Sequence, residues 1–206
     1  MFRDFLAQVA PVATSGLEVT AACLQDATDT ETVRLLRDFV TGNDPSALAA
    51  TLECELPQLE FFPRAFLQPV AEAAAARAGV PIGDWRQSHC PRCERPPQVA
   101  AIRDVAEAKG QRSLICSFCA SEWPFARSTC PSCGEQDPDK LIYHVADTAD
   151  YIRIEECKAC RRYSKSVDLR EDGRAVPLVD DIGFMALDLW AHQQDLRRIH
   201  PNLLGL

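Results

Sequence analysis

The sequence predicts an α+β protein: a helical N-terminal domain, two four-cysteine ribbon modules and a C-terminal helix. Three observations carry this. Residues 1–88 place apolar side chains at helical spacing. Residues 89–170 lose that period and alternate short β-type runs with Cys-x-x-Cys pairs. Beyond residue 170 the helical period returns. The expected boundaries are 1–88 for the helical domain, 89–127 and 128–170 for the two modules, and 171–206 for the closing segment.

In the first region a helix is expected from about Thr30 to Thr41, with Val33, Leu35, Leu36 and Val40 at helical spacing and Gly42-Asn43 as its stop. Asp44 is placed to cap the next helix, with Pro45 in its first turn and Leu48 and Leu52 on its face. An Ala-rich helix follows from about Arg64 to Ala78, closed by Gly79 and Pro81. No catalytic signature occurs here, and these apolar residues read as core or partner surface.

In the second region β-type runs are expected at Gln98–Val105, Arg112–Ile115, Leu141–Ala146, Tyr151–Glu155 and Tyr163–Leu169. A last helix is expected from Asp180, with Ile182, Met185, Leu189, Leu196 and Ile199 inward and Pro201 as its end.

Composition bounds the function. The formal charge is −8. Residues 1–88 carry 6 Arg, no Lys and 12 acids, a net of −6, so the front is acidic and the remainder close to neutral. This opposes nucleic acid as a partner, because neutralising phosphate takes Lys and Arg. No apolar run reaches the length of a membrane span. Met1 to Ala10 contains Asp4 and only a short apolar run, a poor signal peptide, so a cytoplasmic protein is expected. In a reducing compartment, regularly spaced Cys pairs read as metal ligands before disulfides.

Four knuckles carry the chemistry: Cys90/Cys93, Cys116/Cys119, Cys130/Cys133 and Cys157/Cys160. They form a repeat, since Cys90 to Cys130 is 40 residues and Cys116 to Cys157 is 41. Within each copy 22 or 23 residues separate the knuckles, and between copies only 10. The pairing is therefore Cys90, Cys93, Cys116 and Cys119 at one metal and Cys130, Cys133, Cys157 and Cys160 at the other. Two residues between cysteines let a tight turn aim both sulfurs at one point, about 2.3 Å from a zinc. The longer stretch fits a β-hairpin that returns the second knuckle.

Pro91 and Pro131 stiffen two of the turns, and Gly134 suits a left-handed residue after its knuckle. Glu94, Ala120 and Arg161 stand at the equivalent positions, where they fit less easily. Four thiolates around a divalent ion leave a local charge of about −2, which Arg92, Arg95, Arg112, Lys158, Arg161 and Arg162 can offset. Two metal ions per chain, zinc or iron, are expected, because tetrahedral sulfur suits both. Zinc would make zinc ribbons; iron would make rubredoxin-like, redox-active sites. Cys23 and Cys54 lie outside the repeat and read as small buried residues.

The run His89-Cys-Pro-Arg-Cys-Glu-Arg-Pro-Pro97, then Leu114-Ile-Cys-Ser-Phe-Cys-Ala-Ser-Glu-Trp123, Cys130-Pro-Ser-Cys-Gly134 and Glu156-Cys-Lys-Ala-Cys160 with Tyr163 and Lys165, resembles the FdhE family of formate dehydrogenase accessory proteins. Val179-Asp-Asp-Ile182 and the closing segment with Asn202 are similar to that family's C-terminus. The resemblance covers roughly residues 85–206. It implies a cytoplasmic, non-enzymatic maturation factor that binds the catalytic subunit of a molybdenum- or tungsten-dependent formate dehydrogenase. It implies a helical domain followed by two rubredoxin-like modules, with iron or zinc on the eight cysteines. Glu94 departs from the glycine of many members, and the helical region is shorter than is typical.

Other residues read as structural. Trp123 is expected over the hairpin core, and His89 as a turn residue beside a complete thiolate set. His144, His192 and His200 have no ligand or carboxylate at useful spacing. Asp180-Asp181 is expected to favour a helix N-terminus, and Tyr163-Ser164-Lys165 to be the strand leaving the last knuckle. No P-loop or nucleophile elbow is present. Two further readings of the modules stand beside the accessory protein. One is a rubredoxin-like iron redox or sensing protein. The other is a zinc-ribbon nucleic-acid module, with Arg161, Arg162 and Tyr163 as its patch.

Overall fold

The structure is a computed structural model that describes residues 1–13, 16–79, 82–146, 149–203 and 205. The chain forms two compact units, Met1–Ala71 and Glu72–Leu206.

The first unit is helical. Helices α1 (Phe2–Val9), α2 (Leu17–Asp26), α3 (Asp29–Thr41) and α4 (Ser46–Thr51) are followed by α5 (Leu56–Arg77), whose last turns belong to the second unit. The α3 start is set by a capping box: the Glu31 N–H donates to the Thr28 hydroxyl, and the Thr28 N–H donates back to the Glu31 carboxylate at 2.8 Å. Gly42 ends α3 with φ 74°. Asp44 accepts from the Ser46 N–H at 2.9 Å, but the N-cap position is Pro45, one residue later than expected. Phe2, Leu6, Leu24, Leu35, Leu48, Leu59 and Phe62 form the core. Helix α5 starts eight residues before the expected Arg64, because Pro57 sits in its first turn and Pro63 and Pro69 are accommodated inside it. Pro81 lies outside the described residues.

The second unit is built on one sheet. Its strands are β1 (Pro97–Val105), β2 (Ala108–Cys116), β3 (Glu122–Pro124), β4 (Leu141–Ala146), β5 (Ala149–Cys157), β6 (Arg162–Asp168) and β7 (Arg197–Arg198). The order is β3-β2-β1-β6-β5-β4, with β7 on β6. The sequence repeat is therefore a structural one. Each copy runs knuckle, strand, antiparallel strand, knuckle, antiparallel strand. The third strand of the second copy, β6, pairs in parallel with the first strand of the first copy, Val99 opposite Lys165. Two ribbons thus become one sheet.

Helices α6 (Pro177–Gly183) and α7 (Met185–Gln193) pack on this sheet, with Leu178, Phe184 and Leu187 against Val99, Ala101, Ile152 and Val167. The expected single helix with Met185 and Leu189 inward is corrected here. Phe184 interrupts it, and Met185 and Leu189 are 41% and 50% exposed. The fully buried positions are Asp181, Asp188 and Ala191, each 0% exposed. The helix face turns because two cations, Lys165 and Arg198, lie buried beneath it and require carboxylates.

Candidate metal centres

Each knuckle is a tight turn closed by its own backbone. Glu94, Gly134 and Arg161 donate their N–H to the carbonyl of the first cysteine of their knuckle, Cys90, Cys130 and Cys157, at 2.9–3.0 Å. The residue after the second cysteine is left-handed in all four knuckles: Glu94 φ 60°, Ala120 φ 52°, Gly134 φ 79° and Arg161 φ 56°. This geometry turns the chain so that both sulfurs face inward. Backbone N–H groups of Arg92, Phe118 and Ser132 point at the first sulfur of their turn at 3.4 Å, which stabilises a thiolate there.

The hairpins then bring the knuckles together in pairs. Cys90, Cys93, Cys116 and Cys119 form one group that could hold a metal ion, and Cys130, Cys133, Cys157 and Cys160 another. In the first group the Sγ atoms of Cys90 and Cys119 are 3.6 Å apart and those of Cys93 and Cys116 3.3 Å. In the second, Cys130 and Cys160 are 3.9 Å apart and Cys133 and Cys157 3.7 Å. A tetrahedron of sulfurs about 2.3 Å from a zinc has edges of about 3.8 Å, so both groups fit a tetrathiolate ion.

Within each group the thiols lean on one another. Hydrogen bonds from Cys116, then Cys90 and Cys93, hold Cys119 well below the ordinary thiol range. Cys119, then Cys90 and Cys93, push Cys116 far above it. In the second group burial first pushes Cys130 up to about 12. A divalent ion would remove this competition, since each cysteine would then bind as a thiolate.

The surroundings place the other candidates. Trp123 is fully buried and its Nε1 donates to the Gln87 carbonyl at 2.9 Å. The His89 ring packs edge-on to Trp85, and its carbonyl accepts from Trp85 Nε1 at 2.8 Å. Cys23 and Cys54 belong to neither group, and both are only partly buried. Of the arginines expected to offset the thiolates, Arg112 pairs with Glu155 and Arg161 with Glu156.

Three expectations are corrected. His144 does have a carboxylate: its Nε2 lies 2.7 Å from Glu156 Oε2, and its ring packs against Trp190. The β4–β5 register brings them together across twelve residues, which linear spacing does not reveal. Asp180 serves the helix start, accepting from the Val176 N–H at 2.6 Å, but Asp181 is a buried ion partner. Lys165 Nζ lies 3.1 Å from Asp181 and 2.6 Å from Asp188, and Arg198 pairs with both aspartates. Tyr163 donates to Asp188 at 2.8 Å and is fully buried, so it offers no ring for base stacking beside Arg161 and Arg162.

Residues 89–127 match the family model "FdhE, central domain", and residues 128–204 match "FdhE, C-terminal domain", so the two run without a break through both cysteine groups. The chain belongs to the FdhE family. An FdhE homolog from Aquifex aeolicus is 38% identical over 147 residues, which is 71% of this chain and 52% of that protein. One from Pseudomonas aeruginosa is 36% identical over 121 residues, 56% of this chain and 38% of that protein. The chain thus spans about half the length, or less, of these FdhE relatives. The crystal structure of the Pseudomonas aeruginosa FdhE protein superposes with a TM-score of 0.73 at 27% identity, covering 99% of this chain and 70% of that one.

Proposed function

We propose that this chain is a non-enzymatic accessory protein of formate dehydrogenase maturation that binds the enzyme's catalytic subunit in the cytoplasm. FdhE membership, joined to two cysteine groups with tetrathiolate geometry, is the observation that carries the reading. Cys90, Cys93, Cys116 and Cys119 would hold one ion, and Cys130, Cys133, Cys157 and Cys160 the other. The ions would act first in folding. Modules of this size, here 89–127 and 128–170, bury too little surface to be stable alone, and a tetrathiolate ion supplies the missing free energy. Among the described residues no helix is long and apolar enough to cross a membrane.

Co-purification tests it. Tagged full chain should retain a formate dehydrogenase catalytic subunit well above unrelated metalloenzymes. Equal recovery of both would end the reading.

The rubredoxin-like alternative shares the same donor set, since four thiolates accept iron as readily as zinc. A visible thiolate-to-iron band in anaerobically purified protein would favour it; a colourless zinc protein would exclude it.

A further inference from the structure

The two cysteine groups are alike in ligands and unlike in surroundings. In the first, Cys90, Cys116 and Cys119 are 0%, 1% and 5% exposed, and Cys93 is partly buried. In the second, Cys130 and Cys157 are 4% and 2% exposed, Cys160 is partly buried, and Cys133 is exposed.

Neighbouring side chains explain the difference. The first group sits beside the Arg95 guanidinium, which lies over the Phe118 ring at 5.4 Å. Ser121 Oγ is 3.2 Å from Cys119 Sγ, and a hydroxyl there donates to a thiolate and holds it in place. A concavity lined by Ala75, Ala76, Arg92 and Ala120 reaches Cys119, yet leaves that sulfur buried. Around Cys133 the turn is bare. Gly134 follows it with no atom within 4 Å of where a Cβ would stand, and Gln136 is exposed.

Access decides ligand exchange. A thiolate-bound ion is exchanged when an incoming donor reaches the ion as one resident sulfur leaves. A shell of packed side chains blocks that approach, and an exposed edge admits it.

Taking the cysteines as metal ligands, as proposed above, we infer that the two sites have different roles. Cys90, Cys93, Cys116 and Cys119 form a permanent staple. Cys130, Cys133, Cys157 and Cys160 form an exchange site, at which Cys133 yields to an incoming thiol or chelating donor. In that exchange the metal–sulfur bond to Cys133 breaks and one to the incoming sulfur forms. The proton of the incoming thiol passes to Cys133, so the oxidation state of the ion is unchanged. The ligand class that fits is a soft donor on a flexible arm, such as a cysteine side chain of a partner protein.

The test uses the full chain loaded with zinc, its metal content first measured. Pyridylazoresorcinol, which colours on binding zinc, is added in excess. Half of the zinc should transfer quickly and half at least about tenfold more slowly. Iodoacetamide added to the loaded protein should modify Cys133 first among the eight clustered cysteines, on the time course of the fast half; Cys23 and Cys54, outside both groups, are scored separately. Cys133→Ser should speed that fast half and leave the slow half unchanged, a readout that does not depend on client activity. A single rate for all the zinc, or first labelling among Cys90, Cys93, Cys116 and Cys119, overturns the inference while leaving metal binding intact. Protein that takes up no zinc overturns the ligand assignment beneath it as well.

Discussion

Arg112 Nη2 lies 2.6 Å from Glu155 Oε2, and this pair ties β2 of the first module to β5 of the second. The side chains are 2% and 10% exposed. Arg112 also donates to the carbonyls of Ala126 and Thr129 at 3.2 and 3.3 Å, and its guanidinium lies over Phe125 at 5.5 Å. One side chain thus holds two modules and the link between them. Removing Glu155 leaves the buried Arg112 charge with carbonyls alone, and removing Arg112 leaves Glu155 only the longer pair with Arg153 at 3.3 Å. Arg112→Met or Glu155→Leu should each cost roughly 3 kcal/mol, and the double variant clearly less than their sum. Urea unfolding of the four proteins measures this; additive losses would mean that the pair does not couple the modules.

The four left-handed residues predict an unusual direction of change. A side chain in that conformation costs about 1–2 kcal/mol, and glycine's extra freedom when unfolded returns part of it. Glu94→Gly and Ala120→Gly should therefore stabilise by about 0.5 kcal/mol each. Arg161→Gly should gain less, because it gives up the Glu156 ion pair. Gly134→Ala should lose about 1 kcal/mol through backbone strain, since its Cβ would meet no other atom. Denaturation midpoints decide the signs.

Under α6 and α7 the usual helix logic is inverted. Asp188→Ala would leave Lys165 and Arg198 short of an anion and should cost about 3–5 kcal/mol. Leu189→Ser, one residue on, should stay within about 0.5 kcal/mol, because Leu189 is 50% exposed. A large loss at Leu189 together with a small one at Asp188 would reverse the placement of this helix.

Tyr163 gives a pH test. Burial, then the Asp188 charge, holds its hydroxyl above the ordinary tyrosine range. A group raised in the folded state contributes stability below its unfolded pKa, and that contribution is lost as pH rises through the folded one. Stability should therefore fall as pH climbs past about 10, the unfolded value. In Tyr163→Phe that part of the alkaline decline should be absent. An unchanged slope in the variant would mean that Tyr163 is not the group that titrates.

The helical N-terminal region, the β-type runs and the cysteine pairing were legible because each rests on short-range chemistry. Leu141–Ala146 coincides with β4, and the 40-residue offset between knuckles is the offset between copies in the sheet. What stayed hidden depends on contacts between distant segments. The parallel pairing of β1 with β6 has no local signal. Nor does the Lys165, Asp181, Asp188 and Arg198 cluster, whose members come from separate segments of the chain. Hydropathy placed Met185 and Leu189 inward because it prices a lone Asp as exposed, and here two aspartates face two buried cations. His144 and Glu156 meet only through strand register.

If eight cysteines hold two ions in two separate cages, the metal content of single-cysteine variants reports it. Elemental analysis of anaerobically purified wild type, Cys93→Ala and Cys130→Ala tests it most directly. About two metals per chain are expected for the wild type and about one for each variant, with the remaining cage intact. A wild type without bound metal, or variants that keep the full wild-type content, would contradict it.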